Sequence, residues 1–210
     1  FVTLKNPIAN GAIQAMFSVS ATKKVRFSQG NLQYQASTGT WRFAENPWDY
    51  VGNSKQGTVY EKGVKCNNNL ISETYDGWID LFGWGTSGWN SQANAYQPYS
   101  IGSGYSDFYP GRSYSNNLNG SYANADWGVY NAISNGGNQA GLWRTLSKYE
   151  WEYLISNRPN ADALCGTASV NGVNGCVLLP DNWSTPTGVT FQGEERVNGK
   201  PVDGYVVNTY

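Results

Sequence analysis

The sequence predicts an α+β domain of antiparallel strands, one or two short helices and a large share of ordered loop. Three observations carry this. Residues 17–51 alternate apolar and polar side chains between turn residues. Residues 148–157 hold a complete set of helix start, face and stop signals. Residues 90–126 are rich in Asn, Ser, Gly and Tyr with little periodicity. At 210 residues the chain can form one large domain, or two small ones, with a real core.

Residues 1–16 read as a lead-in and 17–210 as the domain. In "FSVS", "KKVRFSQGNLQYQ" and "TWRFA" the alternation describes a β-meander of two or three strands, with turns at Gly30-Asn31 and Ser37–Gly39. Val25, Phe27, Leu32 and Tyr34 face inward if the register shifts between Phe27 and Leu32. Residues 52–76 are a weakly patterned polar loop. In "WIDLFGWGTSGWN", Trp84 reads as a core plug beneath a Gly turn. The stretch 90–126 would be disordered on polarity alone, but six Tyr between Tyr96 and Tyr122 describe an ordered excursion pinned by aromatic anchors. "DWGVYNAIS" (126–134) reads as a short helix or turn with Trp127, Tyr130 and Ile133 on one side.

The helix at 148–157 is written locally. Ser147 and Glu150 form an S-x-x-E capping box, in which each side chain accepts the other residue's backbone N–H. Leu146 precedes the cap, where it can staple onto Trp151. Trp151, Leu154 and Ile155 make one apolar stripe, with Trp151 the expected buried anchor against a sheet. Pro159 stops the helix. Beyond it, "VNGVNGCVLLPDNW" predicts a strand ending at Pro180, "GVTF" a short strand, and "VDGYVVNTY" a strand-like run.

Composition excludes several functions. Net charge is −1 with only 14 % charged residues, so no basic stripe exists to neutralise phosphates and nucleic-acid binding is not expected. No apolar run reaches the roughly 18 residues of a membrane span. With no His, imidazole catalysis and His-ligated metals are out. Nine Trp and fifteen Tyr, with Lys and Glu scarce, suit a β- and loop-rich extracellular protein. Of the three cysteines, Cys165 and Cys176 bracket "GTASVNGVNG", read as a Gly/Asn-rich loop. They either close a small disulfide in an oxidising compartment or, with Cys66, are small buried hydrophobes. No activating base accompanies any of them.

"WRTLSKYEWEYL" resembles the helix motif of the formylglycine-generating (sulfatase-modifying factor) superfamily, whose members share a C-type-lectin-like fold. Ser147, Glu150, Trp151, Glu152 and Tyr153 match that motif, and Leu146 stands where its Pro is usual. "FSVSATKKVRFSQGNLQYQ", "WRFAENPWDYVG", "WIDLFGWGTSGWN", "YANADWGVYNAI" and "NGGNQAGLWRTL" resemble blocks of surface and secreted lectin-like proteins of gut Bacteroidetes and their phages. Some of these proteins are diversified by diversity-generating retroelements. The resemblance implies a C-type-lectin-like domain at a bacterial surface, secreted, or on a phage virion. It also implies about a hundred further residues carrying the last strands, so that this chain is expected to be C-terminally truncated.

The expected function is non-catalytic recognition or adhesion towards a protein or glycan. Rigid aromatics supply contact area at low entropic cost and small polar side chains supply hydrogen bonds. The candidate contacts are Trp89, Asn90, Tyr105, Tyr109, Arg112, Tyr114 and Trp127. The alternatives are a formylglycine-generating oxidase, for which the thiols fall at unrelated places, and a structural pilus or phage-fibre subunit. No cofactor is expected apart from a structural Ca²⁺, for which Asp107, Asp126, Asp181 and Asn182 are the candidate ligands, oxygen donors that suit a hard cation.

Overall fold

The alternation read across residues 17–51 makes two hairpins, each serving a different core. The structure, a computed structural model, describes residues 10–35, 37–49, 76–80, 110, 113, 115–193, 196–197, 200–201 and 207–209. In chain order its strands are β1 (Phe17–Ser18), β2 (Lys24–Val25), β3 (Leu32–Gln35) and β4 (Thr40–Phe43). A 3₁₀ turn (Gly120–Ala125) leads into α1 (Trp127–Tyr130), and α2 (Lys148–Glu152) runs on into a π turn (Tyr153–Asn157). Then come a 3₁₀ turn (Ala161–Leu164), β5 (Cys165–Val170), β6 (Val173–Leu178), β7 (Arg196–Val197), β8 (Lys200–Pro201) and β9 (Val207–Thr209). Short, mostly antiparallel strand pairs and few helices give the described residues a mixed α+β content. They group into two compact units, Phe1–Ser28 with Leu146–Tyr210, and Gln29–Thr145.

In the discontinuous unit, β1 and β2 pair antiparallel, Phe17 opposite Val25. The Ser20 hydroxyl holds the turn between them by accepting the N–H groups of Thr22 and Lys23. The chain enters this unit's core before Phe17: Ile13 N–H donates to Phe27 O at 3.0 Å and Ala15 is buried. Ala15, Phe17 and Leu154 form the core, with Ile13, Val25, Phe27, Leu146 and Leu178 against it. Phe17 and Phe27 meet edge to face, with ring centroids 4.9 Å apart.

The helix over Leu154 starts as the sequence dictates. Ser147 Oγ accepts Glu150 N–H at 3.2 Å, and Glu150 Oε2 accepts Ser147 N–H at 2.9 Å. Glu150 Oε1 also pairs with Lys23 Nζ at 3.3 Å, which fixes the cap to the β1–β2 turn. After Glu152 the helix widens, and the Arg158 N–H reaches back to Tyr153 O, five residues away, at 2.8 Å. Pro159 disfavours helical geometry at Arg158, whose ψ of 154° is extended.

The expected anchor is corrected here. Leu154 is fully buried, whereas Trp151 is 36 % exposed. Of the three stripe positions the middle one projects into the core. The indole lies at the rim, tilted on Phe27 with centroids 5.9 Å apart.

The segment read as a Gly/Asn loop is instead the β5–β6 hairpin, in register from Val170 opposite Val173 to Cys165 opposite Leu178. Asn171 and Gly172 turn it with φ of 51° and 77°, the positive pair that a two-residue type I′ turn requires. β9 pairs parallel to β5 on its other side, so the sheet order is β6-β5-β9. "GVTF" forms no strand: Val189 N–H closes a turn onto Pro186 O.

Asp181, just past Pro180, ties these pieces together. Its Oδ1 accepts Ser18 N–H at 3.0 Å and Arg158 Nη1 at 3.2 Å. Its Oδ2 accepts the Ser18 hydroxyl at 2.7 Å and pairs with Lys24 Nζ at 2.9 Å. The Arg158 side chain is fully buried, and its Nη2 donates to Leu164 O at 3.2 Å. Burial alone would raise the Asp181 carboxyl. The Ser18 hydrogen bonds and the bond and charge of Lys24 outweigh it, lowering the group from 3.8 to about 2.

In the unit Gln29–Thr145, β3 and β4 form an antiparallel hairpin with Tyr34 opposite Trp41. Its inner face supplies Tyr34, Trp41 and Phe43 to a core completed by Ile79 and Ile133, with Leu32, Trp127 and Trp143 against it. Both hairpin edges are engaged by distant segments. Tyr34 exchanges N–H and C=O bonds with Ile79 at 2.9 and 2.8 Å. On the β4 side, Phe43 N–H donates to Asn135 Oδ1 at 2.7 Å and Asn135 Nδ2 returns to Phe43 O at 2.8 Å. Trp41 O is taken by the N–H and hydroxyl of Ser134.

Asp126 caps α1 by accepting Gly128 N–H at 3.2 Å, and accepts Thr145 N–H at 2.6 Å. Only Gly fits at 128, where a Cβ would stand 2.7 Å from the Trp143 backbone and Cβ. The helix is one turn long, so Tyr130 does not share a side with Trp127 and Ile133: it is exposed while Ile133 is buried.

Two outcomes follow for stability. Leu154→Ala should cost about 2–5 kcal/mol in chemical denaturation, and Trp151→Ala only about 1 kcal/mol. The depressed Asp181 carboxyl stabilises the fold fully above its ordinary value, and that contribution is lost as pH falls towards about 2. The thermal midpoint should therefore drop between about pH 4 and pH 2 in the wild type, and drop less in Asp181→Asn.

Candidate functional site

A strand alternates its side chains between two faces, so the residues between the core positions of β3 and β4 must share the other face. Gln33 and Arg42 stand directly opposite one another there. Ile79 pairs with Tyr34 and sends its side chain into the core, which leaves Trp78 and Asp80 for the same outer face.

The four side chains meet. The Arg42 guanidinium lies over the Trp78 indole, 4.3 Å from the ring centroid. Arg42 Nε donates to Gln33 Oε1 at 2.9 Å, and Gln33 Nε2 donates to Asp80 Oδ1 at 3.0 Å. Gln33 is buried, whereas Arg42 and Trp78 are half-buried. The approach of residues 76–80 is fixed further along, where Asp76 O accepts both Gln35 Nε2 and the Ser37 hydroxyl.

A planar guanidinium, held by its Nε and stacked on a ring, presents its remaining donors as a fixed fork. Such a fork suits a carboxylate or vicinal oxygens, and an indole edge beside it offers apolar area.

Sequence reasoning did not pick out Arg42, Trp78, Gln33 or Asp80. The polar positions in "LQYQ" and "TWRF" mark the outer face, but the Ile79 pairing that brings Trp78 and Asp80 onto it carries no local signal. Of the residues that were picked out, Trp89, Asn90, Tyr105, Tyr109, Arg112 and Tyr114 lie outside the described residues, as do Trp84, Cys66 and Asp107. Trp127 is half-buried against the core of Tyr34, Trp41, Phe43, Ile79 and Ile133, where it supports packing. Ser147 and Glu150 form the cap, and Trp151 is the rim residue described above. Cys165 and Cys176 are thiols with sulfurs 3.7 Å apart, one buried and one exposed.

The carboxylates considered for Ca²⁺ are engaged otherwise. Asp126 accepts two backbone N–H groups, and Asp181 faces two cations and Ser18. Asn182 is exposed. Among the described residues no group of three or more Cys, Asp or Glu could hold a metal ion, and no helix is long and apolar enough to cross a membrane.

The Arg42–Trp78 contact should show a coupling of about 0.5–1 kcal/mol in a double-mutant cycle of Arg42→Ala and Trp78→Ala, read by urea denaturation. Additive losses would mean the stacking contributes nothing. Comparison of the chain with family models, with curated proteins and with solved structures finds no match.

Proposed function

We propose that this chain is a non-catalytic recognition or adhesion module of C-type-lectin-like fold, acting outside the cell or at its surface on a protein or glycan ligand. The observation that supports it best is the outer face of the β3–β4 hairpin. There Gln33 and Asp80 hold Arg42 over Trp78 in one geometry before any ligand arrives. Preorganised aromatic and guanidinium groups bind with little ordering cost. The Tyr- and Asn-rich sequence between 89 and 114 adds residue types of the same kind. The described carboxylates Asp126, Glu150 and Asp181 have capping and bridging roles that account for them without catalysis.

A glycan and surface-protein array probed with the full chain tests this. Binding to at least one ligand class is expected. Arg42→Lys, which keeps the charge and loses the planar fork, should weaken it about tenfold, and the double change Tyr105→Ser with Tyr109→Ser should abolish it. Silence across the array would replace recognition with a structural role, such as a pilus or phage-fibre subunit.

A second reading, a formylglycine-generating type of oxidase, has one observation on its side: the convergence of the Cys165 and Cys176 thiols. Conversion of a cysteine to an aldehyde on a sulfatase-type peptide, lost in Cys176→Ser, would displace the recognition reading.

A further inference from the structure

We infer that Cys165 and Cys176 are a site of reversible covalent modification, a thiol pair that a disulfide donor converts into a cross-strand bond within the β5–β6 hairpin. The inference is independent of which ligand the chain recognises.

The hairpin register places the pair. Cys165 stands opposite Leu178, and Cys176 opposite Thr167, so all four side chains share one face and the two cysteines sit on a diagonal. Diagonal neighbours in an antiparallel pair are ordinarily about 7–8 Å apart at the backbone, yet within reach of side chains. The right-handed twist between paired strands shortens one of the two diagonals. Sulfurs already in contact at 3.7 Å show that this pair is on the short one. A covalent S–S bond of about 2.05 Å then needs rotation about the side-chain torsions and a small approach of the strands. The Asn171-Gly172 turn fixes the register, so the approach is not lost to strand slippage.

Exposure assigns the order of events. Cys176 is exposed and Cys165 is 3 % exposed, so only Cys176 is open to an external reagent. The Cys176 thiolate attacks one sulfur of a small disulfide such as oxidised glutathione, forming a mixed disulfide and releasing one thiolate. Cys165, its proton taken up by the thiolate just released beside it, attacks the Cys176 sulfur and expels the second thiolate. The chain loses two electrons and two protons, and the donor is reduced to two thiols. The product joins β5 to β6 and leaves the parallel seam between β5 and β9 as it was.

The test uses the full chain, incubated with oxidised glutathione, quenched in acid, alkylated and mapped by mass spectrometry without reduction. A Cys165–Cys176 linkage is expected, seen as loss of ~2 Da from the peptide holding both and as resistance of both to alkylation. Dithiothreitol should reverse it. The thermal midpoint should rise by about 5 °C on oxidation. Cys66→Ser should leave the linkage intact, and Cys165→Ser should trap glutathione on Cys176. Three outcomes would overturn the inference: both thiols still alkylated after oxidation, a glutathione adduct persisting on Cys176 of the unaltered chain, or a bond from either cysteine to Cys66. All are read on the unaltered chain, so a misfolded variant cannot obscure the answer.

Discussion

A fully buried guanidinium constrains everything in the unit that contains α2. Arg158 has no access to water through its side chain, and desolvating such a cation costs several kcal/mol unless a counter-charge and hydrogen bonds replace the lost hydration. Asp181 supplies the charge and Leu164 O a further acceptor, with the Phe17 ring 5.9 Å from the guanidinium carbon. The pair is not a device for raw stability, since hydrophobic groups of equal volume commonly do as well. What it adds is position. Asp181 can satisfy Arg158, Lys24 and both donors of Ser18 only when β1, β2, the end of the helix and the turn after Pro180 have all reached one arrangement.

The unit Gln29–Thr145 meets a different constraint. A two-stranded hairpin is marginal alone and exposes two rows of unpaired backbone groups. Here short segments from distant sequence engage both rows, a single residue pair on the β3 side and the side chain of Asn135 with Ser134 on the β4 side. That pairing lets a hairpin of two four-residue strands supply three of the five buried side chains of its core. It also lays Trp78 and Asp80 over Gln33 and Arg42, so the candidate binding face is a product of edge pairing rather than of any motif.

What was legible in the sequence was local. The reciprocal bonds of Ser147 and Glu150 and the stop at Pro159 depend on residues within a few positions, and each is made as the local chemistry requires. The share of burial between Trp151 and Leu154 was not legible. It depends on how the helix is aimed, and the π turn after Glu152 changes that aim. The β5–β6 hairpin had a readable signal in Asn171-Gly172 between Val170 and Val173, obscured by the glycines and asparagines around it. The partnership of Ser18, Lys24, Arg158 and Asp181 joins positions up to 163 residues apart, and nothing near any of them announces it. The Arg42–Trp78 face fails to appear for the same reason.

Asn135 has a further consequence through its chemistry as an amide. Its oxygen accepts from Phe43 N–H while its nitrogen donates to Phe43 O, so it imitates a neighbouring strand with one side chain. An aspartate is nearly identical in shape but offers two acceptors and no donor when ionised. It would face the Phe43 carbonyl oxygen with a negative charge. Asn135 is followed by Gly136, whose small size favours attack of its backbone nitrogen on the amide. Ring opening of the resulting imide would leave an aspartate without the donor, or an isoaspartate that also lengthens the backbone, and either would release the Phe43 edge.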